Sequence, residues 1–265
     1  MTTFRRQLAG DKEGPLTAGV VMIGDELLSG KVRDANGPYL IDALRRHGLD
    51  LEEIHFVSDD VDAIIESVDL VRHRRDICFT SGGIGPTHDD VSMEAVAKAF
   101  GMELELREDL AAVVATFFGN DESGQAWQKM AMVPTGCRLL DLATAWPAYT
   151  VENVVMLPGV PQIFRRQVDA LLAGLGSRPV VTNVAYFRID EGQLARPLTD
   201  LAEAFAGAVS FGSYPVIGEV EYQVKVTMDS RDPAALAEAT RNLLERFPEQ
   251  VVHAVEEDIS NLEGR

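Results

Sequence analysis

Short apolar runs alternate with amphipathic segments through the first two thirds of the chain. That alternation restricts the fold more than any other feature. TAGVVMIG (17–24), the apolar part of RRDICFTSGG (74–83) and NVVMLPG (153–159) each stop at glycine. Such runs suit strands buried on both faces of a parallel sheet. Between them, GPYLIDALRRHGLD repeats Leu40, Ile41 and Leu44 at helical spacing, with Pro38 suited to a first turn and Gly48 where a helix ends. LEEIHFVSDD reads as a strand and then a loop. VDAIIESVDLVRHR places Val61, Ile64, Ile65, Val68 and Val71 on one side. DDVSMEAVAKAFG predicts a helix facing inward through Val91, Ala95, Val96 and Phe100 and closed by Gly101. Residues 107–130 read as helical, interrupted at Gly119 and Gly124; MAMVP and RLLDL read as short extended pieces, and PQIFRRQVDALLAGLG as a helix from Pro161.

This order predicts an α/β domain over 17–175, a three-layer α/β/α arrangement on a mostly parallel sheet. Residues 1–16 are polar and aperiodic and read as a flexible arm. After a linker at GSRP (176–179), the pattern becomes β-α-β-β-α-β, which predicts a small two-layer α+β domain over 178–256 and a tail over 257–265.

Among 265 residues, 24 Lys+Arg stand against 42 Asp+Glu, a formal net charge of −18. That balance excludes a general nucleic-acid binder, and the second domain carries no GXXG clamp with basic neighbours. It also argues against anionic membranes, and no apolar run approaches the ~20 residues of a membrane span. MTTFRRQLAGDKEGP lacks the apolar core of a secretory signal, and Cys78 and Cys137 form no disulfide framework, so a cytoplasmic protein is expected. An acidic protein that handles a phosphorylated ligand needs a cation or a local concentration of backbone donors.

TSGGIGPTHDD (80–90) carries the most chemistry. A buried strand runs into Gly82, Gly83 and Gly85, then through Thr87 toward a helix start. Small residues let a ligand approach the backbone, and N–H groups at a helix start favour an anion. Asp89 and Asp90 beside a phosphate would repel it unless a cation sits between them, the usual setting of Mg²⁺. The alternative is structural: Thr87 caps the helix and Asp90 completes a T-x-x-D cap. His88 reads equally as a phosphate contact or acid/base and as a solvent-facing loop residue.

Gly24, Asp25 and Glu26 follow the first strand at the carboxyl edge of the sheet, where open α/β folds bind ligands. Asp25 and Glu26 are candidate metal ligands or a solvated turn; Asn36 is a helix cap or a ligand contact. Asp59 and Asp60 end the second strand. Three acidic clusters gather in one crevice if their strands are neighbours. Gly159 can admit a ligand at the same edge. Lys129 is an exposed helix charge or a phosphate contact. His47, His55, His73 and His253 show no metal-ligand spacing, and Cys78 reads as core.

IGDELLSG with Asp34 and Asn36, VSDD, TSGGIGPTHDDVSMEAVAKAFG, KMAMVP and NVVMLPGVP resemble, in order, the motifs of the MoaB/Mog molybdopterin-binding family. The nearer match is the branch holding the N-terminal domains of CinA and of FAD synthases. GPTHDD, Trp146-Pro147 and GSYPVIGEVEYQVKVTMDS look more like the FAD-synthase type, extending the resemblance to about residue 255. DLATAWPAYTVEN stands where CinA-like members carry GTAPG. The resemblance stops short of the CinA deamidase domain and of the domain that makes FAD, so neither reaction is carried over.

The resemblance implies a pyrophosphatase acting on an adenine dinucleotide such as FAD or ADP-ribose. On that expectation Gly82, Gly83 and Gly85 seat the phosphates, and Asp89 and Asp90 with Asp25 or Glu26 hold Mg²⁺, Mn²⁺ or Co²⁺. Gly24, Asn36, Asp59, Thr87, Lys129 and Gly159 line the phosphate site, and His88 assists proton transfer or binds the leaving phosphate. A molybdopterin-binding or adenylylating protein is the second expectation, a non-catalytic ligand-binding module the third. The expected partner is a nucleotide or pterin and a second copy of the chain, a dimer, with no nucleic acid and no membrane.

Overall fold

The computed structural model describes residues 14–119, 121–140, 146–175, 178–218, 221–249 and 251–257. Residues 1–13 of the expected arm, 258–265 of the expected tail, 176–177 of the linker and 141–145 before Trp146 lie outside the described residues. The chain divides into two compact units between residues 177 and 178.

The first unit runs β1 (Thr17–Ile23), α1 (Asp25–Leu28), α2 (Asn36–Arg46), β2 (Asp50–Val57), α3 (Val61–Arg74), β3 (Ile77–Ser81), α4 (Ser92–Ala99), β4 (Leu104–Leu106), α5 (Glu108–Phe118), α6 (Glu122–Trp127) and a 3₁₀ turn at Gln128–Ala131. It continues through β5 (Met132–Pro134), β6 (Arg138–Leu140), β7 (Ala148–Val151), β8 (Val154–Leu157) and α7 (Pro161–Leu175). Its central sheet has the order β2-β1-β3-β8-β7-β6, and β4 pairs β5 separately. The first four strands are parallel; β7 pairs antiparallel with both β8 and β6, so β7 alone runs against the rest.

Strand composition follows position. Interior β1 is buried from Ala18 to Ile23, whereas edge strand β2 alternates and leaves Ile54 and Phe56 exposed. One sheet face packs Val20, Met22, Phe79 and Leu157 under α2 and α7, through Leu40, Leu44, Phe164 and Leu171. The other packs Val21, Cys78 and Met156 under α3, α4 and α5, through Ile64, Val68, Val96 and Val114. Each such aliphatic or aromatic side chain contributes about 1.5–3 kcal/mol on burial. This is the three-layer arrangement expected.

Several details differ from the sequence reading. Leu16 is fully buried, so packing starts inside the expected arm. Ile41 is exposed, because Leu40, Ala43 and Leu44 form the inward face of α2. The helix expected from Asp89 begins at Ser92. β7 escaped the pattern because its turn to β8 uses Glu152 at φ 49 rather than a glycine.

The second unit runs β9 (Val181–Phe187), α8 (Glu191–Ala204), β10 (Ser210–Pro215), β11 (Val224–Ser230), α9 (Pro233–Arg246) and β12 (Val251–Glu257). Its antiparallel sheet has the order β10-β11-β9-β12. Phe187, Val226 and Met228 pack against Leu194, Leu201, Leu236 and Leu243 of the two helices. Asp190 and Asp232 cap those helices, accepting N–H groups of their first turns.

The start of α2 corrects one assignment. Asn36 does not cap it; Asp34 Oδ1 accepts the N–H groups of Asn36 (2.9 Å) and Gly37 (3.0 Å). Asn36 is buried, and its Nδ2 donates to Ser81 Oγ (3.0 Å) and to the Gly159 carbonyl (2.9 Å), joining the ends of β3 and β8. Asp34→Ala is therefore expected to cost about 1 kcal/mol, an ordinary lost cap. Asn36→Ala should cost more, about 1–3 kcal/mol, because it strands buried acceptors. Urea unfolding of both variants checks the order; an Asp34 variant less stable than the Asn36 variant would contradict it.

Candidate functional site

The chain leaves β1 toward β2 on one side and returns to β3 on the other, so a crevice opens where β1 and β3 end. Because β2, β1 and β3 are neighbours, the acidic segments at their ends converge. The backbones meet so closely there that side chains do not fit. A Cβ on Gly82, at φ 109, would strike the Ile23 carbonyl oxygen, and one on Gly83, at φ 65, would strike Ser92 Oγ. Ser92 Oγ in turn donates to the Gly82 carbonyl at 2.9 Å, tying the start of α4 to the end of β3. Gly159 lies against Gly82, where an added Cβ would sit 3.4 Å from its Cα.

The loop from Gly85 to Asp90 folds on itself. The Thr87 N–H donates to Asp90 Oδ2 at 2.7 Å, and the Thr87 hydroxyl lies 2.5 Å from both Asp89 Oδ1 and Asp90 Oδ2. The T-x-x-D cap is thus not formed: α4 starts two residues beyond Asp90, and its N-cap Val91 makes no side-chain bond. Lys129 Nζ donates to the Thr87 carbonyl from outside the loop.

Two carboxylates here are shifted in opposite directions. The Thr87 hydroxyl holds Asp89 below the usual carboxylate range, helped by His88 and Lys129. Burial chiefly pushes Asp59 up, with the charges of Glu26, Asp25 and Asp89 adding to it. Asp59 Oδ2 accepts the Asp25 N–H at 2.8 Å, which offsets part of that shift. Asp60 is spent on capping α3 through Ala63 N–H.

These groups line one cleft of about 560 Å³. The lining includes Gly82, Gly83, Gly85, Thr87 and Gly159 with the carboxylates of Glu26, Asp59, Asp89 and Asp90, and among the described residues no Lys, Arg or His side chain. It also includes an apolar and aromatic group, Phe117, Phe118, Trp127, Met130, Trp146 and Ile163. Phe118 stacks on Trp127 with ring centroids 3.9 Å apart and planes 2° off parallel.

Five residues expected at the site are not on the lining. Gly24 and Asp25 lie beside it, Asp25 reaching it only through its N–H to Asp59. Asn36 lies beneath it. Lys129 touches the loop from outside. His88 is 98% exposed, its Nδ1 3.9 Å from Asp89 Oδ1, which places the imidazole in solvent. The aromatic group was missed. No local pattern marked it: Phe117 and Phe118 read in sequence as ordinary apolar residues of a helix.

Among the described residues, no group of three or more His, Cys, Asp or Glu side chains is set to hold a metal by itself. The donor chemistry fits a hard cation in another way. One or two carboxylates beside a phosphate cradle leave the remaining positions to phosphate oxygens and water, as Mg²⁺ commonly binds.

A family model described as "Probable molybdopterin binding domain" matches residues 19–180, and one described as "FAD synthase, middle domain" matches 179–256. A "Probable FAD synthase" of Caenorhabditis elegans is 29% identical over 89% of this chain and 51% of its own length. A "CinA-like protein" of Anaeromyxobacter dehalogenans is 33% identical over 92% of this chain and 62% of its own. The chain spans about half the length of the FAD synthases it matches. A crystal structure of the protein CinA, of unknown function, from Thermoplasma acidophilum superimposes with a TM-score of 0.56 at 28% identity, covering 62% of this chain and 99% of that one. No helix among the described residues is long and apolar enough to cross a membrane. With the motifs at the ends of β1, β3 and β8 all inside the matched span, the chain belongs to the molybdopterin-binding domain family typified by MoaB and Mog, in a branch shared with CinA-like proteins and FAD synthases.

Proposed function

We propose that the cleft binds an adenine dinucleotide such as FAD or ADP-ribose and hydrolyses its pyrophosphate with the help of a divalent cation. The observation that carries this reading is a glycine turn and four carboxylates on one lining with no basic side chain among the described residues. The glycines leave the backbone open to phosphate oxygens, and among the described residues the carboxylates of the lining meet no Lys or Arg in an ion pair. A pyrophosphate entering alone would meet net repulsion; one entering with Mg²⁺, Mn²⁺ or Co²⁺ would meet ligands. When bound, the ion supplies charge neutralisation on the phosphates and a water of lowered pKa. Asp89, kept ionised by Thr87, is the carboxylate best placed to hold it, with Glu26 or Asp59 across the crevice. Asp90, committed to the Thr87 N–H, fixes the loop.

A second reading is a pterin ligand, with adenylylation in place of hydrolysis. The description of the matching family favours it, and the same cleft serves it. Tight molybdopterin binding without AMP release from any dinucleotide would select it.

The protein incubated with FAD or ADP-ribose and each of the three metals is expected to release AMP, and EDTA should stop it. Asp89→Ala should lower turnover at least a hundredfold with an unchanged melting profile. A folded protein releasing no AMP with any metal would refute hydrolysis, and wild-type turnover in the variant would remove Asp89 from it.

Gathering the carboxylates has a cost that pH reveals. The folded pKa of Asp59 lies above its unfolded value, so ionisation favours the unfolded chain. The penalty is absent below the unfolded pKa, near 4, and grows to its full size as pH rises through the folded pKa. Asp59→Asn keeps an acceptor for the Asp25 N–H and removes the charge. In EDTA it is expected to melt above the wild type at pH 7, with the gap closing as pH falls below about 4. A variant melting lower at pH 7 would show that the charge is not a burden there.

A further inference from the structure

We propose that the aromatic group of the cleft seats the flat ring of the ligand by stacking alone. It then selects phosphate esters of a bicyclic or larger ring without reading which ring they carry. The inference deepens the proposed function and rests on the cleft being a nucleotide site.

Phe117 is 58% exposed and Phe118 38% exposed, although both lie at the end of a helix with a buried face. An exposed phenyl ring forgoes the stabilisation that burial gives, so two side by side on one lining mark a surface meant to be covered. Phe118 is held by Trp127 behind it, ring on ring, and cannot turn away without losing that stack. Phe117 lies 6.4 Å from it at 51°, so the two rings form a shallow angle rather than a flat wall. Met130, Trp146 and Ile163 complete this group, and none carries a charge. Among the described residues, a ring edge placed there meets no carboxylate, guanidinium or amide side chain that would distinguish adenine from flavin or pterin.

The occupant follows from what adjoins this group. Val160 directly follows Gly159, with Ile163 three residues further on, and Met130 follows Lys129, which holds the Thr87 carbonyl. The apolar group therefore adjoins the glycine turn, and a ligand covering both sets a ring on one and phosphate on the other. A volume of about 560 Å³ suits a small molecule rather than a protein segment.

Binding of FMN, AMP and inorganic pyrophosphate, each with Mg²⁺, tests this by calorimetry and, for FMN, by flavin fluorescence. FMN and AMP are expected to bind within about tenfold of each other, and pyrophosphate more weakly. Phe118→Leu and Phe117→Leu keep apolar volume and remove the ring face. Each should weaken FMN and AMP by roughly tenfold and leave pyrophosphate unchanged. Unchanged FMN and AMP affinities in both variants would overturn the proposal. So would the loss of one ligand alone, which means edge-specific reading. So would a change in sedimentation without a change in affinity, which means the rings cover a second copy. Phe117, the more exposed ring, keeps the test valid if the Phe118 variant unfolds. Neither FMN nor AMP holds a pyrophosphate bond, so failure here is distinct from failure of hydrolysis.

Discussion

Backbone packed directly on backbone at the ends of β1, β3 and β8 is the constraint from which the site follows. Gly82 rests against the Ile23 carbonyl more closely than any side chain would permit, and Gly159 lies in van der Waals contact with Gly82. Closure at this level leaves the crevice floor made of main chain. It also brings the next residues of each strand, Glu26, Asp59 and the Thr87–Asp90 loop, to one rim. Two side chains keep the arrangement from opening: Ser92 Oγ on the Gly82 carbonyl and Asn36 Nδ2 on the Gly159 carbonyl. A larger residue at Gly82 would separate β1 from β3 and disperse the rim before it affected any ligand.

The rim is not a uniform acidic patch. Asp89 and Asp59 line the same cleft, yet one is held ionised by a hydroxyl and the other is pushed toward its neutral form by burial and by its neighbours. On the proposed reading, carboxylates separated in this way would take different parts at a single site, one a standing charge and the other responsive to a cation. The net charge of −18 thereby has a local expression. Among the described residues the lining holds no basic group, and Lys129, which touches the loop, is turned onto a carbonyl.

How much of this was legible in the sequence depends on the range of the interaction involved. The parallel core was legible because β1, β3 and β8 are apolar without alternation, and α3 and α7 carry regular inward faces. The glycine turn was legible because three glycines between a strand and a helix have no role in capping. What failed was the assignment of individual polar side chains. Asn36 and Asp34 are two residues apart and both suit a cap; only tertiary contact, Ser81 and Gly159 lying within reach of Asn36, decides between them. Thr87 and Asp90 fit a capping box by spacing, but the helix begins later and the pair closes a loop instead. β7 stayed hidden because a turn through Glu152 carries no glycine. The aromatic group depends on α5, α6 and the 3₁₀ turn folding back over the sheet edge, which no local pattern states.

The two parts of the cleft lining differ in what they can contribute to a reaction. On the proposed reading, a ring held by stacking is held alike in the ground state and in the transition state, because no charge develops there. Such binding lowers KM and leaves kcat alone. The carboxylate rim faces the atoms whose charge changes, so its contribution grows along the reaction and appears in kcat. An acidic cleft needs this division, since the carboxylate rim on its own opposes an anionic ligand until a cation enters. Stacking at about 1–3 kcal/mol per ring then offsets that opposition without adding a basic residue that would compete with the metal for Asp89. On that reading, the aromatic side chains and the absence of a lysine from the described lining are two sides of one solution to binding an anion with a protein of net charge −18.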